Sequence, residues 1–353
     1  METTRHHKTD QLFCGSLTIL LLFLFPPCTF AGESLKQLYS RLDNAIANKA
    51  RFQQKKEACI AALRQSYNAT PSLKKRYQVM RQLASEYNTY NNDTAIVCLK
   101  RCVAIAEQMK NQSEADLCRS LLAYQYVKSG FFAESMMTLN QVSNNDQSKP
   151  MLVEYYKSRG FLYDQLAMYA KNDKDKIYFQ TVADSANKAM LAILPRNTSF
   201  YYMTICVMQH DSGHIQDAMM TCNQWEKIVK KGTHDYAVMM YYRYWILNEL
   251  HPHSQEAEKS LLLSAICDVE TATYDETSIF NICQILKDRG EVSRAQTYMK
   301  YAYAAAVAFG GKMRDSITHD MEDVNSKYVS QLNEKQQKLN HSLILIIFLF
   351  LLI

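Results

Sequence analysis

The sequence contains little glycine and proline, 9 and 6 of its 353 residues. Globular proteins average about 7% glycine and about 5% proline. Tight turns between strands need these residues, so their scarcity argues against a fold built from hairpins. The rest of the chain is rich in alanine, leucine, methionine, glutamine and lysine, which lose little rotamer freedom in a helix. The composition predicts an all-α fold.

Catalytic and metal-binding motifs are also lacking. The sequence has no glycine-rich phosphate loop, HExxH or GxSxG pattern. His210 and His214 are four residues apart, but the turn residue Gly213 lies between them, so they do not share a helix face as zinc ligands would. We expect no enzyme activity, no cofactor and no metal. The net charge of +5 is modest and no Lys/Arg run exceeds three residues, the longest being Lys74 to Arg76, so we expect no nucleic-acid binding by this chain.

Cysteine is present, but not in metal-binding pairs. Eight of the ten cysteines follow residue 31, and no CxxC motif occurs. They are Cys59, Cys98, Cys102, Cys118, Cys206, Cys222, Cys267 and Cys283. We predict that most of them are small buried side chains.

The N-terminus has the pattern of a secretory signal. A basic start between Arg5 and Lys8 precedes an apolar core over residues 17–25, and Thr29 and Ala31 offer the small residues that signal peptidase requires. We predict a signal peptide over 1–31, cleaved after Ala31. A retained N-terminal anchor is the alternative.

The C-terminus is an unbroken apolar run over residues 343–353. A membrane-spanning helix needs about 20 residues, so we interpret 341–353 as the start of a truncated transmembrane helix. A GPI signal and a short tail anchor are alternatives. With the signal peptide, this predicts an exported, periplasmic domain anchored in the inner membrane.

The central part of the chain contains a repeat of the tetratricopeptide type. Three segments align on the turn glycines Gly130, Gly213 and Gly290, which are spaced at about twice a helix-pair repeat of about 40 residues. The same small-residue position holds Ala123, Cys206 and Cys283, and the helix-crossing position holds Ser135, Ala218 and Ala295.

Four less regular units complete the repeat. They span residues 34–67, 73–109, 151–194 and 236–269, and the second breaks at Asn91, which we expect to cap a helix. The sequence therefore predicts a tetratricopeptide-like α-solenoid of about seven helix pairs over 32–311. Stacked pairs bury a continuous core and leave a curved inner surface for binding.

First-helix positions on that inner surface are the candidate ligand site. In the aligned repeats they are Ser120, Tyr124, Lys128, Met203, His210, Asp211, Phe280, Gln284 and Lys287. Adjacent tyrosines such as Tyr241 and Tyr242 have two interpretations: they fill gaps between helices, or they offer rings to a peptide or sugar.

A helical stripe of apolar residues follows the repeat, over 312–340. Its members are Met313, Ile317, Met321, Val324, Tyr328, Leu332 and Leu339. This spacing predicts a helical stalk that forms a coiled coil, and hence a homodimer, or else a capping helix packed on the repeat.

The region of residues 35–110 resembles a known family. The residues that carry the resemblance are Leu42, Asp43, Phe52, Lys55, Glu57, Ile60, Leu63, Arg76, Tyr77, Leu83, Glu86, Tyr87, Tyr90, Asp93, Thr94 and Ala95. The family is that of the exported, membrane-anchored tetratricopeptide regulators of Bacteroidetes, which often have serine at the position of Thr94. There a cytoplasmic coiled coil and a DNA-binding helix-turn-helix follow the anchor, and this sequence contains neither.

Two functions are consistent with this organisation. The first is the sensor arm of a membrane-anchored regulator, which binds a peptide, protein or glycan outside the inner membrane. The second is a structural adaptor that assembles envelope proteins without signalling.

Overall fold

The computed structural model describes residues 33–143, 148–274, 277–310, 326–343 and 346. The helices are α1 (Leu35–Ala47), α2 (Lys49–Ala69), α3 (Leu73–Tyr87), α4 (Asn92–Gln108), α5 (Gln112–Lys128), α6 (Phe132–Leu139), α7 (Lys149–Tyr169), α8 (Asp173–Ile193), α9 (Ser199–Asp211), α10 (Ile215–Glu226), α11 (His234–Leu250), α12 (Gln255–Thr271), α13 (Ser278–Asp288) and α14 (Val292–Phe309). No strand occurs among these residues, which confirms the all-α prediction. The predicted signal peptide, residues 311–325 and most of the apolar C-terminal run lie outside them.

Helices α3 to α14 form six consecutive pairs. Within each pair the second helix packs against the first, and each pair contacts the next along the chain. The pairs predicted over residues 73–109, 151–194 and 236–269 are confirmed as α3–α4, α7–α8 and α11–α12. This is the stacked helix-pair architecture of a tetratricopeptide-like solenoid.

Small residues set the close approach of the two helices in a pair. The hydroxyl of Ser135 donates to the carbonyl of Ala123 at 2.9 Å, and the thiol of Cys206 donates to the carbonyl of Ala218 at 3.5 Å. These four residues are fully buried, as are Cys283 and Ala295 at the same positions of the last pair. A larger side chain at either position would push the helices apart, so the alignment of small residues is confirmed as packing.

Turn and cap residues end and begin these helices as the sequence predicts. Gly130, Gly213 and Gly290 have φ of +82°, +77° and +78°, a left-handed conformation that costs glycine little. Asn91 caps α4, because its side chain accepts from the backbone N–H of Thr94 at 2.8 Å.

The first predicted pair, over residues 34–67, is wrong. Helix α1 ends only two residues before α2 begins, and the two do not pack side by side. Instead α1 lies on α12, where Leu38 and Leu42 join Leu261 and Ile266 in one buried cluster. Helix α2 extends from α12 to α3. The described chain therefore has six helix pairs and two bridging helices, not seven pairs.

Helices α1 and α2 bring the pair α3–α4 into contact with α12 and with the last pair, α13–α14. The backbone N–H of Tyr274, after α12, donates to the carbonyl of Thr89 at 2.7 Å, and the rings of Tyr274 and Tyr90 are 4.9 Å apart. The side-chain amide of Asn91 donates to the carbonyl of Ala308, in α14, at 2.8 Å. We call these contacts of α1–α4 with α12–α14 the closing seam. The solenoid closes on itself, a feature that the predicted stack of helix pairs did not include.

The cysteines lie mainly in the core. Seven of the eight described thiols are buried, and Cys59 on α2 is exposed. The prediction that most are small buried side chains is confirmed.

Residues 326–343 form a further helix, on which only Tyr328 and Gln331 are partly covered. Gln331 donates to the carbonyl of Gly290 at 3.3 Å. A capping helix would bury one face on the repeat, so the described part of the stalk does not cap it. Among the described residues, no helix combines the length and apolar character that crossing a membrane requires.

Candidate functional site

A cavity of about 550 Å³ opens on the inner side of the first helices α5, α7, α9 and α11. Helices α8 and α10 and the turn after α3 complete its wall. Its residues are Asn88, Tyr124, Lys128, Lys157, Phe161, Asp164, Asn187, Met190, Ser199, Phe200, Met203, Thr204, Val207, Met208, Trp225, His234, Asp235, Val238, Tyr241 and Tyr242. We call it the large cavity. Ligand sites typically measure about 300–1,000 Å³, so this volume suits a compact ligand.

Aromatic rings surround a lysine at one end of the large cavity. The rings of Tyr124 and Phe161 are 4.9 Å apart. The ammonium of Lys157 lies 4.8 Å from the Tyr124 ring and 5.1 Å from the Phe200 ring, and it also pairs with Glu154 at 3.0 Å. These contacts hold the cation between two ring faces, a geometry that stabilises it by about 0.5–2 kcal/mol.

A second aromatic group stands at the other end. The indole N–H of Trp225 donates to the hydroxyl of Ser199 at 2.8 Å, and its ring is 6.1 Å from that of Tyr242. The hydroxyl of Tyr241 is bonded to that of Thr277 at 2.5 Å. These bonds fix the rings in place before any ligand arrives, which lowers the entropic cost of binding.

Charged groups of both signs face this space. Lys128 donates to the carbonyl of Asn88 at 3.1 Å, with its ammonium 5.1 Å from the Phe309 ring. Asp164 on α7 is exposed on the concave surface, but the surrounding helices displace much of its bulk solvation. This desolvation, with smaller contributions from Asp211 and Asp184, raises the pKa of Asp164 to about 6.

A smaller pocket of about 180 Å³ adjoins the large cavity between α9 and α11. It is lined by Cys206, Val207, His210, Asp211, Tyr241, Tyr242, Trp245 and Ile246. The imidazole of His210 is 2.8 Å from the carboxylate of Glu249 and 3.1 Å from that of Asp211, which ties α9 to α11. We call this the small pocket. Within the described part of the chain, no three His, Cys, Asp or Glu side chains are grouped as metal ligands would be.

Five of the nine predicted ligand-facing residues lie at these two spaces. Tyr124, Lys128 and Met203 line the large cavity, and His210 and Asp211 line the small pocket. The structure therefore brings these five positions of α5 and α9 to two adjoining spaces, and their role in ligand binding stays a prediction.

The other four predicted residues lie elsewhere. Ser120 is fully buried, and its hydroxyl donates to the carbonyl of Asp116 at 2.9 Å, so its placement on the inner surface is wrong. Phe280 packs against the core of the closing seam, and Gln284 and Lys287 lie on the same helix, α13, outside both spaces. Because the solenoid closes, α13 forms part of the seam instead of the open inner wall.

The sequence alignment did not identify α7 and α11 as helices that line the large cavity. Helix α7 contributes Lys157, Phe161 and Asp164 to the large cavity, but its unit has no turn glycine to align on. Helix α11 contributes Tyr241 and Tyr242, for which the sequence left two interpretations open. The spacing of Lys157 and Phe161, one helical turn apart, is a signal that could have placed them on one face.

The fold is that of a helical-repeat protein of the tetratricopeptide type, in which the first helix of each pair lines a binding surface. The model of one protein family, the SusR N-terminal TPR domain, matches residues 46–319. Because this match spans well over half of the chain, the protein belongs to that family. No curated protein matches the chain. Domains of this type bind proteins or other ligands and are typically non-catalytic.

Proposed function

We propose that the chain is the ligand-binding sensor arm of a membrane-anchored regulator and that the large cavity is its ligand site. The observation that carries this proposal is that partly exposed aromatic rings from α5, α7, α9 and α11 line one half-open cavity. The lining comes from α5 and from α7 to α11, with Asn88, so the middle repeats form this cavity on their concave side. A cavity of this volume suits a compact ligand better than a broad protein surface.

The lining favours a ligand with both flat apolar faces and hydrogen-bonding groups. Tyr124, Phe200 and Tyr241 offer partly exposed rings, while Asn187 and Asp235 offer polar side chains. Sugars and short peptides have this mixed character and stack on aromatic side chains. The ligand in this proposal is a short oligosaccharide or peptide.

The proposed location is outside the inner membrane. The signal-like N-terminus and the apolar C-terminal run support it. Signalling additionally requires that the ligand bind two conformations with different affinity. A hinge between α8 and α9, which contact each other little, is a suitable place for that difference.

Calorimetric titration of the purified chain with short oligosaccharides and short peptides tests the binding proposal. We expect one compound class to bind, and Phe200→Ala to weaken that binding about tenfold by removing a ring from the cavity. Tyr178→Ala is the matched control, because this ring is exposed on α8 and lies outside both spaces. Equal losses in the two variants, or no binding by either class, would reject the proposal.

A second candidate function is the envelope adaptor. It is favoured by exposed apolar side chains on α6 and at the tip of the α7–α8 hairpin: Phe131, Met137, Met168, Tyr169, Ile177 and Tyr178. Under this alternative, Met137→Lys with Ile177→Lys abolishes capture of a protein partner and leaves small-ligand binding unchanged. Under the sensor proposal, the same pair of substitutions has no effect on ligand binding or on signalling.

A further inference from the structure

The helix over residues 326–343 carries an uncovered apolar stripe. Four apolar side chains of this helix, together with Ile346, the next described residue, are between 46% and 63% exposed. They are Val329, Leu332, Leu339, Leu343 and Ile346. From 326 to 342 the other described residues are polar or charged apart from Tyr328, so Val329, Leu332 and Leu339 form one apolar face there. Leu343 and Ile346 belong to the apolar run over 343–353.

The five residues fall in a single heptad frame. Val329 and Leu343 occupy a positions, and Leu332, Leu339 and Ile346 occupy d positions. The remaining a position holds Gln336. A repeat of 3.5 residues keeps an apolar seam facing one other helix, and this is the pattern of a coiled coil. The frame differs from the predicted stripe at Tyr328, which is partly covered and lies beside the seam.

The repeat domain holds this helix by a different face. Gln331 donates to the carbonyl of Gly290, and Lys335 lies with Gln331 beside the acidic residues Asp43 and Glu291. At about 100° per residue, Gln331 and Lys335 project roughly a quarter-turn away from the apolar stripe. The domain thus orients the helix and leaves its stripe available.

We propose that the stripe pairs with the same stripe of a second copy of this chain, as a parallel, in-register two-stranded coiled coil. An in-register parallel pair places Gln336 opposite Gln336, where each amide can donate to and accept from the other. An antiparallel pair would place Gln336 against Leu339 and leave the amide unsatisfied. A single polar a position is a known device for fixing register in this way.

Charge and side-chain shape agree with this partner. The positions that flank the seam, e and g, are Ser326, Tyr328, Asn333, Lys335, Asn340 and Ser342. They include one charged residue and no acid, so two identical helices meet without strong repulsion. Val329 at a with Leu332 at d favours two strands, whereas Leu343 at a with Ile346 at d favours three or four. The two-stranded assignment rests on the first pair, which precedes the apolar run over 343–353. The pairing needs no ligand and stands independently of the proposed function.

Disulfide trapping tests the proposed geometry in the full chain purified in detergent. Leu339→Cys at a d position and His341→Cys at an f position are each made with Cys59→Ser, which removes the one exposed thiol among the described residues. Facing d residues in a parallel pair come within disulfide range, whereas f residues point outward. We expect brief mild oxidation to give a covalent dimer with Leu339→Cys and almost none with His341→Cys. Equal trapping at both positions, or none at Leu339→Cys, overturns the proposal.

Sedimentation equilibrium supplies a second readout that does not depend on thiols. We expect Leu332→Glu with Leu339→Glu to give a monomer of unchanged helical content, since the repeat domain does not cover this stripe. Gln336→Leu replaces the buried amide with an apolar layer, so we expect association to tighten about tenfold or to go beyond a dimer. A dimer that survives the double glutamate variant, or weaker association in Gln336→Leu, overturns the proposal.

Discussion

The closing seam joins the bridging helices α1 and α2 to helix pairs, the wall of the large cavity consists of helix pairs, and the two regions are packed very differently. In the seam, Leu38 and Leu42 are completely or almost completely buried, and the carboxylate of Glu258 is enclosed between Tyr39 and Arg289. At the cavity, the facing residues of α5, α7 and α9 are only partly covered, and α8 contacts α9 little. The closing seam therefore provides stability, and the wall of the large cavity provides the surface that a ligand can reach.

This difference shows how a helical-repeat fold can form a ligand cavity. A solenoid is stabilised by contacts between neighbouring repeats, so closure needs an additional interface. Helices α1 and α2 provide it by joining the last pairs to the first. Once the two ends of the solenoid are fixed to each other, the middle repeats can leave aromatic rings uncovered around the large cavity. We therefore expect substitutions in the seam to affect stability and substitutions in the wall to affect binding.

The largest expected effect comes from removing a buried seam side chain. Leu42→Ala deletes a side chain with no exposed surface and should lower the free energy of unfolding by about 2–5 kcal/mol, since the cavity left behind adds to the lost burial. Urea unfolding followed by circular dichroism measures this.

Phe200→Ala in the cavity wall is the counterpart, because this ring is only partly covered. We expect it to lower the free energy of unfolding by less than about 2 kcal/mol. A similar loss of unfolding free energy in Leu42→Ala and Phe200→Ala would mean that the closing seam is not the stabilising region.

The next effect concerns the charge inside the seam. Glu258 is 4% exposed; it accepts from Tyr39 at 2.6 Å and from Arg289 at 2.7 Å. Glu258→Gln removes the charge and should lower the free energy of unfolding by about 1.5–3 kcal/mol. Glu256→Gln on the same helix is the matched control: its pair with Lys259 is exposed and should contribute less than about 1 kcal/mol. Thermal unfolding compares the two, and a larger effect at Glu256 would contradict this assignment.

The smallest effect is a pH dependence at the cavity wall. The folded pKa of Asp164, about 6, is above its ordinary value of 3.8. Between these values the folded state binds more protons than the unfolded state, so stability falls as pH rises from about 4 to about 6. Because water screens this side chain, we expect Asp164→Asn to recover no more than about 1 kcal/mol above pH 6, and nothing below pH 4.

Unfolding free energies at pH 4 and pH 7 test this, with Asp288→Asn as a control that does not line the cavity. A gain at pH 4 in Asp164→Asn, or an equal gain at pH 7 in the control, would show that desolvation of Asp164 is not the cause.

Local features of the fold could be predicted because local residues determine them. Small residues twelve positions apart, such as Cys206 and Ala218, fix the helix crossing, and Gly213 fixes the turn between those helices. Neither choice depends on distant parts of the chain. The same reasoning located Tyr124, Lys128 and Met203 on the inner face.

Closure could not be predicted in this way. The bond between Tyr39 and Glu258 joins residues 219 positions apart, and periodicity within a helix does not specify which distant helix it meets. The errors at the candidate site share a related cause. Ser120 has the correct spacing, but the rotation of α5 turns it into the core, and Phe280 lies in the seam because the chain closes.

The most direct test of the account uses the two tryptophans of the chain. Trp225 lines the large cavity, and Trp245 lines the small pocket. In a Trp245→Phe chain, titration with a ligand identified by calorimetry should shift the Trp225 emission, with the same midpoint as the calorimetric binding curve. If the compound binds with unchanged affinity, the Trp225 emission stays constant and Phe200→Ala binds the compound equally well, the ligand site lies elsewhere and the central claim is wrong.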